Sequence, residues 1–377
     1  EIGAEGYAEP LSIKFLKENK FLVLDTKFFG EDFKKKLLGS FEDLDGQCDG
    51  LLIHGENFQA LNLLQERYRE KVKCIYIDPP YNTSASEILY KNNYKNSSWL
   101  SFISERLSSS NIMLKSNGIL CVTIDDFEFH RLRAFIEDFY SKENFLGVVA
   151  IKNNPSGRST TKGFSIAHEY GIFFGASSSA TIGRLPHSEK QKSRYDITDG
   201  KGPFEWVNFR RHGGANALRQ AQPKAHYPFF VTKDSFRIPK LEWDALSKKW
   251  KVLETPSKNE TVLYPTAPNG EERVWKWELQ TLLDNNDEMS VRFDSQGGLN
   301  IYRKARLNQK GTLPLTIWDN KRYSATAYGT NLLKNLFGFL SEFPFPKSIF
   351  AVIDSLRVCG LFSSNYVLDF FGGSGTT

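Results

Sequence analysis

Apolar runs along the chain alternate with segments of helical periodicity. Short apolar runs, typical of buried strands, lie at 51–54, 74–77, 119–124, 148–151 and 170–174. Helical segments are predicted at 57–67, 99–114, 128–140 and 349–357. In the first helix, apolar side chains predicted to form a buried face are Phe58, Leu61, Leu63 and Leu64. This alternation predicts an α/β fold.

Polar residues mark the expected ends of these elements. Asn117 and Gly118 are a predicted C-cap for the helix before them. Asp125 and Asp126 follow a strand, and we predict an N-cap for the next helix, with catalytic acids as the alternative. The polar segment 82–98 is expected to be a loop that becomes ordered when a substrate binds, or simply a polar surface loop.

The alternation is lost between residues 185 and 310, which suggests an inserted α+β domain. Residues 181–310 contain 23 Lys and Arg against 16 Asp and Glu, an excess of +7, whereas the whole chain carries +5. A basic insert suits contact with phosphates, although a solvated basic surface is about as common. Its most compact basic patch runs from Arg210 to Gly214, and Trp275 and Trp277 are expected in its core.

The composition limits the number of domains and the kinds of protein that this chain can be. The 377 residues, 40% of them hydrophobic, suffice for one large or two ordinary domains. The cysteines show no CXXC spacing, and Cys74 and Cys121 fall inside predicted strands. This argues against disulfides and zinc and favours a reducing cytoplasm. No apolar stretch approaches 18 residues, so no membrane-spanning segment is predicted.

The most informative segment is Asp78, Pro79, Pro80 and Tyr81, directly after an apolar strand. Two prolines end the strand, because neither can donate a hydrogen bond to a sheet. The acid and the aromatic ring are therefore held on a stiff turn at the edge where open α/β sheets bind ligands. A carboxylate and a fixed carbonyl suit the amine of a nucleobase, and a ring suits base stacking. A plain Pro-Pro turn is the alternative.

A second signature lies near the end of the chain. Tyr366–Leu368 is an apolar strand that leads into a glycine-rich turn, and the residues of this turn are Asp369, Phe370, Phe371, Gly372, Gly373, Ser374 and Gly375. Glycines let a backbone pass close to a ligand, and exposed amides meet negative charge. A plain strand-to-helix turn is the alternative. About twenty residues earlier, a proline-rich segment carries Lys347.

Together these segments resemble the β-class amino-methyltransferases that act on DNA. The Asp-Pro-Pro-Tyr segment resembles their catalytic motif, and the glycine-rich turn resembles their S-adenosylmethionine loop. The catalytic motif precedes the cofactor loop here, which is the permuted order of that class. The sequence around Gly55-Glu56-Asn57 and Asn82-Thr83 is most similar to the modification subunit of type III restriction–modification systems.

The resemblance implies a Rossmann-like, S-adenosylmethionine-dependent methyltransferase domain with an inserted target-recognition domain. It divides the chain into an N-terminal helical extension, two catalytic parts and the insert, at residues 1–45, 46–184, 185–310 and 311–377. Asp78, with the Pro79 carbonyl, would hold the N6 amine of a flipped adenine against Tyr81, and Pro80 would be structural. No metal is implied.

The resemblance also implies roles outside the catalytic motif. Lys347 would face the methionine end of the cofactor, and the turn from Asp369 to Gly375 would bind it. The segment from His168 to Tyr170 would line the base pocket, and a histidine that is simply hydrogen-bonded at the start of a strand is the alternative. The implied partners are double-stranded DNA, a second copy of the chain and a restriction helicase–nuclease subunit.

The sequence leaves alternatives open for the methyl acceptor and for catalysis itself. The alternative acceptors are the amine of cytosine, RNA and a glutamine side chain, although the Asp at position 78 and the motif order argue against glutamine. A non-catalytic DNA-recognition component is the other alternative. Because the chain begins at Glu1 and ends at Thr377, inside the glycine-rich turn, we expect a fragment that binds the cofactor weakly and is inactive alone. The family's ribose-binding acid is expected beyond Thr377.

Overall fold

A computed structural model of the chain divides into two compact units. Unit 1 comprises residues 1–185 and 313–377, and unit 2 comprises residues 186–312. The structure describes residues 10, 12–19, 25–83, 95–159, 162–294, 297–308, 310–338, 343, 345–361 and 364–377. Most of the predicted polar loop, residues 84–94, lies outside the described residues, as do parts of the N-terminal segment.

The described α-helices are α1 (Ile13–Glu18), α2 (Glu31–Gly39), α3 (Leu44–Gln47), α4 (Asn57–Tyr68), α5 (Asn96–Asn111), α6 (Phe129–Tyr140), α7 (Glu189–Lys192), α8 (Leu279–Leu283), α9 (Asn331–Phe337) and α10 (Ile349–Val358). Short 3-10 helices lie at Thr26–Phe28, Lys142–Asn144, Ala215–Ala217, Pro223–Ala225, Asn286–Glu288 and Lys321–Tyr323, and a π-helical turn spans Thr326–Thr330.

The described strands of unit 1 and unit 2, in chain order, are β1 (Val72–Ile77), β2 (Leu114–Ile124), β3 (Phe145–Ile151), β4 (Glu169–Gly175), β5 (Ile197–Asp199), β6 (Gly202–Asn208), β7 (Phe229–Val231), β8 (Phe236–Arg237), β9 (Leu241–Asp244), β10 (Lys249–Val252), β11 (Thr261–Leu263), β12 (Met289–Phe293), β13 (Leu299–Arg306), β14 (Ile317–Trp318) and β15 (Tyr366–Leu368).

Unit 1 is built on one six-stranded mixed sheet. Its strand order is β14-β3-β4-β2-β1-β15. β1 pairs in parallel with both β2 and β15, β14 pairs in parallel with β3, and β4 runs antiparallel to β2 and β3. The expected α/β fold class is confirmed, as are the strand predictions from 74 to 174 and the helix at 349–357.

Helices cover both faces of this sheet. Successive residues of β1 point to opposite faces, so Ile75 and Ile77 join a core with α4, α5 and α6. Cys74 and Tyr76 join a second core on the other face, packed against α10 through Val352. Cys74 and Cys121 are fully buried, as predicted. The apolar run of β1 is therefore explained by burial on both faces.

Three sequence predictions between residues 51 and 118 are wrong. Residues 51–54 form no strand, since no described strand pairs with them, and Leu52 is 96% exposed. The helix predicted to reach Leu114 ends at Asn111, because the chain then joins the sheet beside Val72. Asn117 and Gly118 consequently lie inside β2 and cap no helix. Sheet pairing outweighs the local turn signal of this dipeptide.

Unit 2 is mostly β structure around an aromatic core. A four-stranded sheet has the order β12-β13-β6-β5, a three-stranded sheet has the order β11-β7-β8, and β9 pairs with β10. Trp275 is fully buried in this core and stacks on Phe209, and Trp277 packs against the same cluster. The prediction that both tryptophans are core residues is confirmed. Among the described residues of both units, no helix is long and apolar enough to cross a membrane.

Helix α4 provides a matched test of the buried core. Leu61 is 1% exposed, whereas Leu63, predicted to share the buried face, is 79% exposed. Leu61→Ala should lower the free energy of unfolding by about 2–5 kcal/mol, because it removes buried methyl groups and leaves a cavity. Leu63→Ala should change it by less than about 0.5 kcal/mol. Urea unfolding measures both, and equal losses would contradict the placement of this helix.

Candidate functional site

Four chain segments meet at one edge of the unit 1 sheet. Because β1, β2 and β15 are parallel neighbours, the residues that follow them emerge at the same edge, as Asp78, Asp125 and Asp369. β4 runs the opposite way, so its first residue, Glu169, lies at that edge too. The two motifs recognised in the sequence are therefore adjacent in space, although β1 and β15 are far apart in the chain.

This edge opens into a cavity of about 460 Å³. Of the predicted site residues, those that line the cavity are Asp78, Pro79, Pro80, Tyr81, Lys347, Asp369, Phe371, Gly372 and Gly373. Phe370 packs into the core instead, and Gly375 lines a smaller neighbouring pocket. His168 and Glu169 also line the main cavity.

The Asp78 carboxylate is held by two partners. The Thr123 hydroxyl donates a hydrogen bond of 2.6 Å to its Oδ1, and the Lys347 ammonium lies 3.0 Å from the same oxygen. Thr123 lies on β2, next to β1 in the sheet. Thr123 had no predicted role, although its hydroxyl in an otherwise apolar strand was the available signal in the sequence.

Lys347 joins Asp78 to a second carboxylate. Its ammonium donates a hydrogen bond of 2.6 Å to Oε2 of Glu169, which is 3% exposed. The ammonium also donates to the Tyr81 hydroxyl and lies 4.7 Å from the centre of that ring. Burial alone would lower the pKa of Lys347, but attraction to Asp78 and Glu169 outweighs it, so its pKa is raised. Lys347 is therefore charged in the folded protein.

The Tyr81 hydroxyl has a role that the sequence did not reveal. It donates a hydrogen bond of 3.0 Å to Oε2 of Glu169. Burial raises its pKa well above the usual range, and the negative charges of Asp78 and Glu169 add to the effect. The phenol thus remains protonated and acts as a donor that fixes the ring.

The Asp-Pro-Pro-Tyr segment is also fixed from behind. The indole N–H of Trp99, on α5, donates a hydrogen bond of 2.9 Å to the Pro80 carbonyl. The next residue after Tyr81, Asn82, has φ of 60°, a left-handed conformation that Asn tolerates better than most residues. Its side-chain amide donates to the buried carboxylate of Glu128 at 2.8 Å. This turn is therefore rigid before any ligand binds.

The glycine-rich turn requires its glycines. Gly373 has φ of 54° and Gly375 has φ of 72°, in the left-handed region. A Cβ on Gly373 would lie 3.0 Å from the Phe343 ring. Helix α4 supports the turn, because the Asn57 amide donates a hydrogen bond of 2.9 Å to the Phe370 carbonyl.

Asp125 departs from its predicted role. Glu128 precedes α6 without a side-chain capping bond, and Asp125 instead accepts from the Phe127 amide at 3.1 Å. The N-cap prediction is therefore wrong, and Asp125 lines the cavity. Burial raises its pKa to about 6, partly opposed by the Phe127 amide. Burial likewise raises the pKa of Asp369 to about 6.

The raised pKa of Asp125 predicts how the free energy of unfolding changes with pH and with replacement of this carboxylate. The folded protein binds this proton more tightly than the unfolded chain, so the stabilisation is present below pH 4 and is lost as pH rises from about 4 to 6. At pH 7.5, Asp125→Asn should raise the free energy of unfolding by on the order of 1–3 kcal/mol, and at pH 4 by much less. Urea unfolding at both pH values measures this.

The matched control is Asp126→Asn, since Asp126 is the exposed neighbour of Asp125. We expect it to change the free energy of unfolding by less than about 0.5 kcal/mol at either pH. If Asp125→Asn destabilised the protein at pH 7.5, its carboxylate would be stabilising as the anion, contrary to the environment described here.

The chain is similar to known proteins of one family. The DNA methylase family model, which covers N6 and N4 methyltransferases, matches residues 72–377. The type III restriction–modification enzyme EcoPI Mod subunit of Escherichia phage P1 is 30% identical over 366 residues, covering 87% of this chain and 54% of that protein. The chain thus spans about half the length of this relative.

Other similar proteins include methyltransferases of different types. The type II methyltransferase M.KpnI of Klebsiella pneumoniae is 28% identical over 355 residues, covering 92% of this chain and 79% of that protein. The solved M1.HpyAVI–SAM complex is 19% identical, covers 36% of this chain and 57% of that one, and has a TM-score of 0.26. Because the family model matches from β1 to the end of the glycine-rich turn, the chain belongs to the DNA methylase family.

Proposed function

We propose that this chain carries the catalytic site of a site-specific DNA methyltransferase. The enzyme transfers a methyl group from S-adenosylmethionine to the N6 amine of adenine, as the modification subunit of a restriction–modification system. The observation that carries the proposal is the meeting of the Asp-Pro-Pro-Tyr segment and the glycine-rich turn in one cavity. Family membership and the similarity to a Mod subunit support it.

The residues of the cavity fit S-adenosylmethionine. Gly372 has nothing within 4 Å of where a Cβ would lie, so the backbone there is open to close approach by a ligand. Carboxylates of Asp78 and Asp369 and the ring of Phe371 line the same space, and acids and aromatic faces suit a sulfonium cation. When bound, the cofactor supplies an electrophilic methyl group whose leaving thioether needs no metal.

Asp78 would orient and activate the acceptor amine. Thr123 and Lys347 both contact its Oδ1, so we assign Oδ2 to the hydrogen bond from the amine. The Pro79 carbonyl, fixed by its ring, accepts the second hydrogen bond. Two acceptors draw the amine toward tetrahedral geometry and free its lone pair. The proton lost on methylation leaves along the hydrogen bond to Oδ2.

Tyr81 and Lys347 would prepare the site around that amine. Tyr81 would present its ring to an adenine taken out of the duplex, an interaction worth about 1–3 kcal/mol for a stacked base. Lys347 lies between Asp78 and Glu169 and offsets the repulsion between these two carboxylates in a partly buried site. These ion pairs support a role in holding the acceptor side of the site, beside the role toward the cofactor that the resemblance implies.

The second candidate acceptor is the N4 amine of cytosine. Its exocyclic nitrogen offers the same hydrogen bonds to a carboxylate and a carbonyl, and the family includes enzymes of both kinds. We favour adenine because of the similarity to the type III Mod subunit. Double-stranded DNA, a second copy of the chain and a restriction helicase–nuclease are the proposed partners, and the cytoplasm is the proposed location.

Base analysis distinguishes these acceptors. The complete gene that encodes these residues is expressed in a host that lacks DNA methylation, and its genomic DNA is digested to nucleosides. We expect mass spectrometry to show N6-methyladenine within one recurring sequence. N4-methylcytosine instead would establish the second candidate, and unmodified DNA beside methylated RNA or protein would reject the proposal.

Asp78→Asn tests the catalytic assignment in the same protein. The substitution keeps the size of the side chain but removes the charge that polarises the amine. Methyl transfer should fall at least a hundredfold, or about 3 kcal/mol, while the affinity for DNA changes little. The exposed Asp126→Asn is the control and should retain full activity. Turnover within a few-fold of the wild type in Asp78→Asn would exclude this carboxylate from the chemistry.

A further inference from the structure

Three partly buried cations of unit 2 lie together without a carboxylate partner among the described residues. They are Arg211, which follows β6, Lys276, which lies beside the buried Trp275, and Arg303 on β13. The Arg211 guanidinium donates to the Lys276 carbonyl at 3.4 Å. The neighbouring charges of Arg303 and Arg211 add to burial in lowering the pKa of Lys276. The positive charges of Arg211 and Arg303 therefore both act on the Lys276 ammonium.

Other partly buried cations of unit 2 form ion pairs with carboxylates. Arg219 pairs with Glu272 at 2.7 Å, and Arg306, on the same strand as Arg303, pairs with Asp199 at 2.8 Å. The carboxylate that adjoins the cluster, Glu205, is already held by Arg194 through hydrogen bonds of 3.2 and 2.9 Å. Several partly buried cations of this unit are thus paired with carboxylates, whereas the described residues provide none for the three cations of the cluster.

The cluster also contains unused hydrogen-bond donors. Nε of Arg211 and Nε of Arg303 are buried from solvent and have no hydrogen-bond partner within the described part of the chain. Arg303 lies over the Trp277 ring at 5.4 Å, which accounts for its position but satisfies none of its N–H groups. Buried donors without partners are rare in proteins and call for an explanation. An anion that accepts from the guanidinium groups and the ammonium offsets the repulsion on Lys276 and, once the arginine side chains turn toward it, pairs these donors as well.

We propose that Arg211, Lys276 and Arg303 form a binding site for a phosphate group of the DNA backbone. The proposal rests on the proposed function, because it takes DNA as the polyanion. Three full positive charges suit a phosphate oxyanion better than the partly charged edge of a guanine. Within the basic patch predicted from the sequence, only Arg211 takes part. The Arg210 guanidinium donates to the Thr266 carbonyl, and burial and Arg210 lower the pKa of His212.

The test compares Lys276→Met and Arg303→Met with the wild type. Fluorescence anisotropy measures binding to two duplexes of equal length and unrelated sequence, at several salt concentrations. We expect each variant to bind both duplexes more weakly by the same factor. The slope of log K against log salt concentration should become shallower by at most about 0.9, the value for complete loss of one phosphate contact, because the two remaining cations still contact the phosphate. Thermal melting of the free protein should stay constant or rise, because a repelling charge has been removed.

Arg219→Met is the matched control, since it also removes one cation of low exposure but one that is already paired with Glu272. It should leave the salt slope unchanged and lower the melting temperature. An unchanged slope in both test variants, with the wild type binding DNA, would overturn the phosphate site alone. Weakening on one duplex only would overturn it in favour of base reading. A wild-type protein that shows no salt-dependent DNA binding would overturn this site and the proposed DNA substrate together.

Discussion

Parallel pairing of β1 with β15 is the constraint on which the candidate site depends. It places the carboxyl ends of two strands side by side, so the acid of the Asp-Pro-Pro-Tyr segment and the glycine-rich turn face one cavity. Neither segment forms a site alone. The pairing in turn requires helices on both faces, because β1 exposes apolar residues in both directions. The sheet edge, its two cores and the cavity are therefore consequences of one strand arrangement.

The second constraint is the repulsion between the carboxylates of the cavity, which the ammonium of Lys347 offsets. Two carboxylates from different strands converge on this single ammonium, and a phenol completes the group. Ser348, the residue after Lys347, is anchored through its hydroxyl to the Arg322 carbonyl at 2.7 Å. The position of the lysine is thus fixed by packing outside the cavity. Loss of Lys347 would leave two carboxylates facing each other without a counter-charge in a partly buried site.

Much of the fold could be predicted from local pattern. The runs that became β1, β2, β3 and β4 are apolar and short, and burial of both faces leaves such a signature. The cavity residues of the two motifs were found because their chemistry is concentrated within a few positions. The strand predicted at residues 51–54 is wrong because an apolar run forms a strand only where a partner strand is available. The local sequence does not show which segments pair.

The remaining site residues are non-local in origin. Thr123 and Trp99 reach the Asp-Pro-Pro-Tyr segment from two different elements, so no spacing in the sequence reveals them. Glu169 lies within the segment that the resemblance assigned to the base pocket, but its bonds to Tyr81 and Lys347 are visible only in the structure. Asp125 was visible as an acid after a strand. Asp125 lines the cavity because β2, which precedes it, is a parallel neighbour of β1. The order of the strands in the sheet must be known before this position can be predicted. The same limit holds for Arg303, whose unpaired charge is visible only in the three-dimensional structure.

The distance in sequence between β1 and β15 has a consequence for biosynthesis. Val72 pairs with Tyr366, which the ribosome adds 294 residues later. At roughly 5–20 residues per second, the nascent chain carries β1 for about 15–60 seconds before its neighbour exists. During that interval β1 is an apolar edge strand with unpaired amides and carbonyls, a template for association with other chains. Synthesis of the whole of unit 2 falls within this window, so β1 lacks its β15 neighbour until most of the chain has been made.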